Sequence, residues 1–166
     1  MVHYGPQAEG WLPPWQREAR IRYDPLVPDV ETYRVDSEAA MRRLGARLVR
    51  RLLPGDAVLL FGELGAGKTT LVRGALSELG YAQPVRSPTF NIVQAFETQP
   101  PVLHIDLYRV GSGDGLGIED DAPTCVCFVE WPDEDAAWLD PTRTWRVEIV
   151  FEGPGRKVHV AAPAER

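Results

Sequence analysis

Eight consecutive residues state a chemistry. Gly62-Glu63-Leu64-Gly65-Ala66-Gly67-Lys68-Thr69 fits the pattern G-x-x-x-x-G-K-[ST], with Thr70 directly behind it. Glycines let the backbone curl until successive N–H groups face a single anion. A helix opening at such a loop adds its unpaired N–H groups and the positive end of its dipole. Lys68 then reaches the β- and γ-phosphates, and the Thr69 hydroxyl is placed to ligate Mg²⁺. A plain glycine turn would explain the loop but not the lysine. The chain has only two lysines, Lys68 and Lys157, and one of them stands where the phosphates require it.

Phosphate binding serves kinases, GTPases and ATPases alike, so other residues must decide. A guanine-reading N/T-K-x-D segment is absent: Lys157 is followed by Val158 and His159. Asp114-Gly115-Leu116-Gly117 imitates a GTPase D-x-x-G, but no apolar strand precedes it. Adenine is therefore expected over guanine. The Gly111–Gly117 loop is too short and too uncharged for a kinase lid. Two acids close apolar runs, Asp106 after Leu103-His104-Ile105 and Glu130 after Val126-Cys127-Phe128-Val129. Either could stand on the magnesium side, the second carboxylate of such folds coming from a strand beside the loop strand. Ser87-Pro88-Thr89 offers a threonine able to touch Mg²⁺ or the γ-phosphate in the manner of a nucleotide-ordered switch. His104 reads as a satisfied strand histidine, and Cys125 and Cys127 as core on one face of a buried strand.

These groups need elements to hold them. The 166 residues make one domain by length. Residues 1–30 hold five of the fifteen prolines, with Trp11 and Trp15 among them, and read as an irregular extension ahead of a domain over 31–166. Glu31–Val35 is a short strand. Asp36 or Ser37 caps a helix to about Leu53, with Met41, Leu44, Leu48 and Leu52 on one face and arginines on the others. Ala57–Phe61 is a buried strand, Lys68–Leu79 a helix stopped by Gly80, and Pro84–Phe90 a loop. Asn91–Phe96, Val102–Leu107 and Cys125–Glu130 are strands. Trp145–Glu152 and Arg156–Ala161 form a hairpin through Gly153-Pro154-Gly155. The fold class is α/β: a P-loop NTPase-like sheet flanked by helices, ending in an antiparallel strand pair.

Composition narrows the rest. The net charge of −6 is the wrong sign for a domain built to grip nucleic acid tightly. The longest apolar runs are five residues, Ala57–Phe61 and Cys125–Val129, whereas a membrane-spanning helix needs about 20. No secretory apolar stretch opens the chain. Two cysteines spaced i, i+2 suit neither a disulfide nor a zinc ribbon, which fits a reducing, cytoplasmic setting.

Taken together, Gly62–Thr70 (GELGAGKTT), Val85–Thr89 (VRSPT), His104–Arg109 (HIDLYR) and Val129–Pro132 (VEWP) resemble the TsaE (YjeE) family. That family comprises P-loop ATPases of tRNA threonylcarbamoyladenosine (t6A) biosynthesis. The resemblance covers about residues 31–160. It implies Lys68 as the phosphate-gripping lysine, Thr69 and Glu130 as magnesium ligands, and Asp106 as the acid needed for hydrolysis. It further implies Thr89 as the switch-loop threonine, Trp131 beside the nucleotide, and Ser37 and Glu38 near the adenine. TsaD and TsaB are the partners it implies, with tRNA met only through them. In one place the chain departs from the pattern. Gly111-Ser112-Gly113-Asp114-Gly115-Leu116 stands where the family has an acidic, leucine-containing helical segment.

The expected function is a Mg²⁺-dependent ATPase, slow in isolation, acting in t6A formation. A small-molecule P-loop kinase and a nucleotide-gated binding module are the alternatives; acceptor-dependent phosphotransfer marks the first, and binding without turnover the second.

Overall fold

A computed structural model describes residues 30–88 and 91–163. The expected extension, with Trp11 and Trp15, lies outside the described residues except for Val30, as does Thr89. Seven strands form one sheet: β1 (Val30–Val35), β2 (Ala57–Gly62), β3 (Val93–Phe96), β4 (Val102–Asp106), β5 (Val126–Glu130), β6 (Thr144–Glu152) and β7 (Gly155–Ala161). Their order is β1-β7-β6-β2-β5-β4-β3. The four central strands β6, β2, β5 and β4 run parallel, and β1, β7 and β3 pair antiparallel at the flanks. The expected β6–β7 hairpin is present, and its register places Arg156 opposite both Phe151 and Val35.

Two helices cover one face of the sheet. Helix α1 (Glu38–Val49) starts at Ser37, whose Oγ accepts the Ala40 N–H at 3.1 Å. Helix α2 (Lys68–Glu78) starts directly from the glycine loop. The apolar face of α1, with Met41, Leu44 and Leu48, packs with Leu71, Val72 and Leu76 of α2 over Val58, Leu60, Val126, Phe128 and Val147. A β-carbon on Gly45 would meet the Leu71 carbonyl oxygen at 2.0 Å, and one on Gly74 would meet that of Arg42 at 2.0 Å. The two helices therefore cross backbone against backbone.

The opposite face carries a thinner cover. Ile118 opens α3 (Ile118–Asp121), which with Trp138 and Leu139 lies over Leu59, Leu103, Ile105 and Cys127. The sequence carries no signal for α3. Four residues are too few to show a helical period, and the run of glycines before it hides the start. Helix α1 also stops at Val49, short of the expected Leu53, because the chain turns there to bury Leu52. β3 begins at Val93 rather than Asn91, since Ile92 has φ 65, outside strand geometry. Cys125 and Cys127 are both buried thiols, as expected.

Candidate functional site

The site gathers where β2, β4 and β5 end. β2 gives way to the loop at Gly62, whose φ is 145 and where a β-carbon would approach the Ile149 carbonyl oxygen to 2.7 Å. Gly67, at φ 116, turns the chain into α2, and a β-carbon there would press on Met41 Cε at 3.1 Å. Only glycine holds both positions without strain. The contact with Met41 also brings the second turn of α1 against the loop.

Lys68 is buried at 5% exposure. Its Nζ donates to the carbonyl oxygens of Gly62 at 2.6 Å and Glu63 at 3.0 Å, and lies 3.9 Å from the centroid of the Trp131 ring. Burial holds its pKa below the ordinary lysine value, with Glu130 and Asp106 pulling it back up. Trp131 follows β5 with φ 56, an uncommon conformation for a bulky residue, and its ring also meets Tyr108 at 5.0 Å.

The two strand-end acids are neighbours. β4 and β5 pair in parallel with Asp106 opposite Glu130, so both side chains share the α1–α2 face. Both are buried. Thr69 Oγ1 donates to Glu130 Oε1 at 2.7 Å, and His104 Nε2 lies 2.8 Å from the same oxygen. Burial pushes Glu130 up, but the hydrogen bonds from His104 and Thr69 and the Lys68 charge outweigh it, leaving the carboxyl below its ordinary value. Asp106 accepts from Ser87 Oγ at 3.1 Å on Oδ2 and from the Tyr108 N–H at 3.0 Å on Oδ1. Asp106 thus faces the loop that follows α2, while Glu130 faces the phosphate loop.

The sequence-expected residues are therefore largely brought together: Gly62 to Thr70, Asp106, Glu130 and Trp131. Glu63, Leu64 and Gly65 are exposed at the loop tip, and Ala66 is buried beneath it. Ser37 and Glu38 stand at the exposed start of α1. There Ser37 is occupied as a cap, and Glu38 pairs with Arg42 at 3.0 Å. Thr89 lies outside the described residues.

Two participants escape sequence reasoning. His104 is a satisfied strand histidine, as expected, but the partner that satisfies it, Glu130, is not named by the sequence. Arg156, on β7, donates from Nε to the Ala66 carbonyl at 3.0 Å and from Nη2 to that of Gly65 at 3.4 Å. It clasps the phosphate loop from outside, on the carbonyl side. Its only sequence signal is a place in the hairpin; the strand order that carries it to the loop is a property of the sheet.

Hard oxygen donors suit Mg²⁺, which keeps several waters and uses one or two carboxylates plus phosphates rather than an all-protein cage. Thr69 Oγ1 and Glu130 meet that description. Among the described residues no cluster of three or more His, Cys, Asp or Glu offers a cage instead. Nor is any helix among them long and apolar enough to cross a membrane. A cavity of about 250 Å³ lies beside the site, against Arg86, Ser87 and Gln94.

Residues 35–158 match the family described as threonylcarbamoyl adenosine biosynthesis protein TsaE. The tRNA threonylcarbamoyladenosine biosynthesis protein TsaE of Haemophilus influenzae is 32% identical over 141 residues, 79% of this chain and 89% of that one. Its namesake from Streptomyces coelicolor is 44% identical over 98 residues, 55% of this chain; the match spans just under two thirds, 66%, of that relative's length. Among solved structures, the crystal structure of YdiB from Bacillus subtilis superposes with a TM-score of 0.67 at 26% identity, over 81% of this chain and 86% of that one.

Proposed function

The chain belongs to the TsaE family, and from that premise we propose that it is a Mg²⁺-dependent ATPase serving t6A formation on tRNA, with TsaD and TsaB as its protein partners. The supporting observation is the meeting of Lys68 and Thr69 with Asp106 and Glu130 at one corner of the sheet. The domain that does this spans residues 31–166.

The loop N–H groups and the start of α2 bind the triphosphate, and Lys68 exchanges its two carbonyl partners for phosphate oxygens. Thr69 and Glu130 would hold a magnesium ion, whose chemistry there would be to neutralise phosphate charge. Asp106, tied to Ser87 and Tyr108 rather than to Thr69, orients the attacking water or the loop that carries it. Thr89, the switch-loop threonine of the family pattern, would touch Mg²⁺ or the γ-phosphate. Trp131 walls the site next to Lys68. Ser37 and Glu38 border the base, the nucleotide being adenine.

Substitution separates the acids. Glu130→Gln raises the Mg²⁺ concentration needed for tight ATP binding. Asp106→Asn binds ATP–Mg²⁺ nearly normally and hydrolyses it poorly. Identical behaviour of the two in binding and turnover overturns this division. The pathway assignment is tested by reconstituted t6A synthesis over many turnovers; equal product from wild type and Lys68→Ala rules it out.

A further inference from the structure

His104 is a polar residue in a place that packing alone would give to an apolar one. It is fully buried on β4, opposite Phe128 of β5 and Gln94 of β3. Its Nε2 reaches Glu130 Oε1, while its buried Nδ1 has no hydrogen-bond partner among the described residues. An ionised carboxylate only accepts, so Nε2 must carry a proton. A second proton on Nδ1 would be buried with nothing to receive it. The geometry therefore selects one neutral tautomer, protonated at Nε2.

The effect on Glu130 is directional. Oε1 receives two donors, His104 Nε2–H and Thr69 Oγ1–H, whereas Oε2 has no partner among the described residues. Two neutral donors fix the plane of the carboxylate without neutralising its charge. Thr69 is itself a proposed magnesium ligand; its hydroxyl would ligate through an oxygen lone pair and keep its proton for Oε1. His104 is the donor to that carboxylate that takes no part in holding the ion.

We infer that His104 is a positioning residue that aims the Glu130 carboxylate at the magnesium ion of the nucleotide. This rests on the proposed magnesium role of Glu130. Donors behind a metal-binding carboxylate commonly alter metal affinity by about 10–100-fold when removed.

The test compares two amides that differ by one methylene. In His104→Gln the side-chain NH₂ reaches the position of Nε2; in His104→Asn it stops near that of Nδ1 and falls short of Glu130. ATP affinity of the full chain is titrated calorimetrically across Mg²⁺ concentrations and in EDTA, with thermal melts as the folding control. His104→Asn should raise the Mg²⁺ requirement about tenfold and leave the affinity in EDTA unchanged. His104→Gln should restore most of the loss. ¹⁵N spectra of the metal-free wild type should show His104 protonated at Nε2. An unchanged Mg²⁺ requirement in a folded Asn variant overturns the inference, as does equal impairment of both amides with native melts. If the Asn variant fails to fold, the spectra decide, and an Nδ1-protonated His104 overturns it. Glu130→Gln separates the two levels: if it too leaves the Mg²⁺ requirement unchanged, the magnesium role of Glu130 falls. If it raises the requirement while His104→Asn does not, only the role of His104 falls.

Discussion

Two buried carboxylates sit at opposite ends of the central strands, and they are treated differently. Asp56, just before β2, is completely enclosed. Its Oδ2 accepts the Leu53 N–H at 2.8 Å, and its Oδ1 accepts Nε and Nη2 of Arg143 at 3.0 and 2.8 Å. Arg143 also donates to the Pro54 carbonyl at 2.7 Å, so one guanidinium closes the turn. Glu130, at the other end, has two neutral donors on one oxygen and none among the described residues on the other. The cation nearest in kind, Lys68, is bonded to loop carbonyls instead. A carboxylate given its own counter-charge stabilises a fold. One held in place with its charge unspent is ready for a cation that arrives from outside.

Asp56→Ala leaves Arg143 half-buried without its partner, and should cost about 3 kcal/mol of stability in chemical denaturation. The ATP affinity of its folded fraction should stay at the wild-type value. Glu130→Gln should show the reverse pattern, and an exchange of the two phenotypes would abolish the contrast.

Next in size is Lys68→Ala. Charge-assisted hydrogen bonds of about 1.5–3 kcal/mol imply roughly a 10–100-fold loss of ATP affinity. Stability should hold or rise, because a buried ammonium is removed. A melt lowered as far as that of Asp56→Ala would place Lys68 among the structural charges.

Arg156→Ala probes the carbonyl side of the loop. Losing these bonds should weaken ATP binding by about 1 kcal/mol, or about fivefold. Arg156→Lys should recover only part, since a point charge cannot span two carbonyls as a guanidinium does. Unaltered affinity in both variants would confine Arg156 to the hairpin, where it also stacks 5.1 Å from the Phe151 ring centroid.

The smallest effect belongs to Cys127, whose N–H donates to the Asp56 carbonyl at 2.9 Å. Burial, with Cys125 and Asp121 adding to it, pushes this thiol from 9.0 up to about 12. The folded state keeps its proton where the unfolded chain loses it. This contribution to stability is therefore whole below the unfolded value and is lost as pH rises from 9.0 toward about 12. Denaturant titrations at pH 8 and 10 should show that decline, and Cys127→Ala should flatten it. Alkylation of Cys127 in the folded protein at the rate of a free thiol would show that this end is not sealed.

What could be read in the amino-acid string follows from how local each feature is. Gly62 to Thr69 is contiguous, so both the loop and its chemistry were legible. Ala57–Phe61 and Cys125–Val129 announce buried strands by unbroken apolarity. The C-terminal hairpin follows from its Gly-Pro-Gly turn. Asp106 and Glu130 could be recognised as strand-end acids, but their residues alone could not order them. That order depends on β5 lying between β2 and β4, and adjacency of strands leaves no mark in the string. The same holds for His104 and Arg156, whose partners lie 26 and 90 residues away. Helix α3 was hidden for a different reason: it is shorter than one full repeat of the pattern that identifies helices.

The crossing of α1 and α2 has a consequence for what the protein can tolerate. Most helix pairs meet through side chains, and side chains can change rotamer to absorb a bulkier neighbour. At Gly45 and Gly74 there is only main chain on both sides. An alanine at either position has no rotamer to turn to, so the helices must separate, and α2 is the helix that begins at Lys68. In a library of random variants these two glycines should behave like active-site residues, intolerant of their smallest substitution, although neither belongs to the phosphate loop. Function would be lost there as an error of alignment rather than of chemistry.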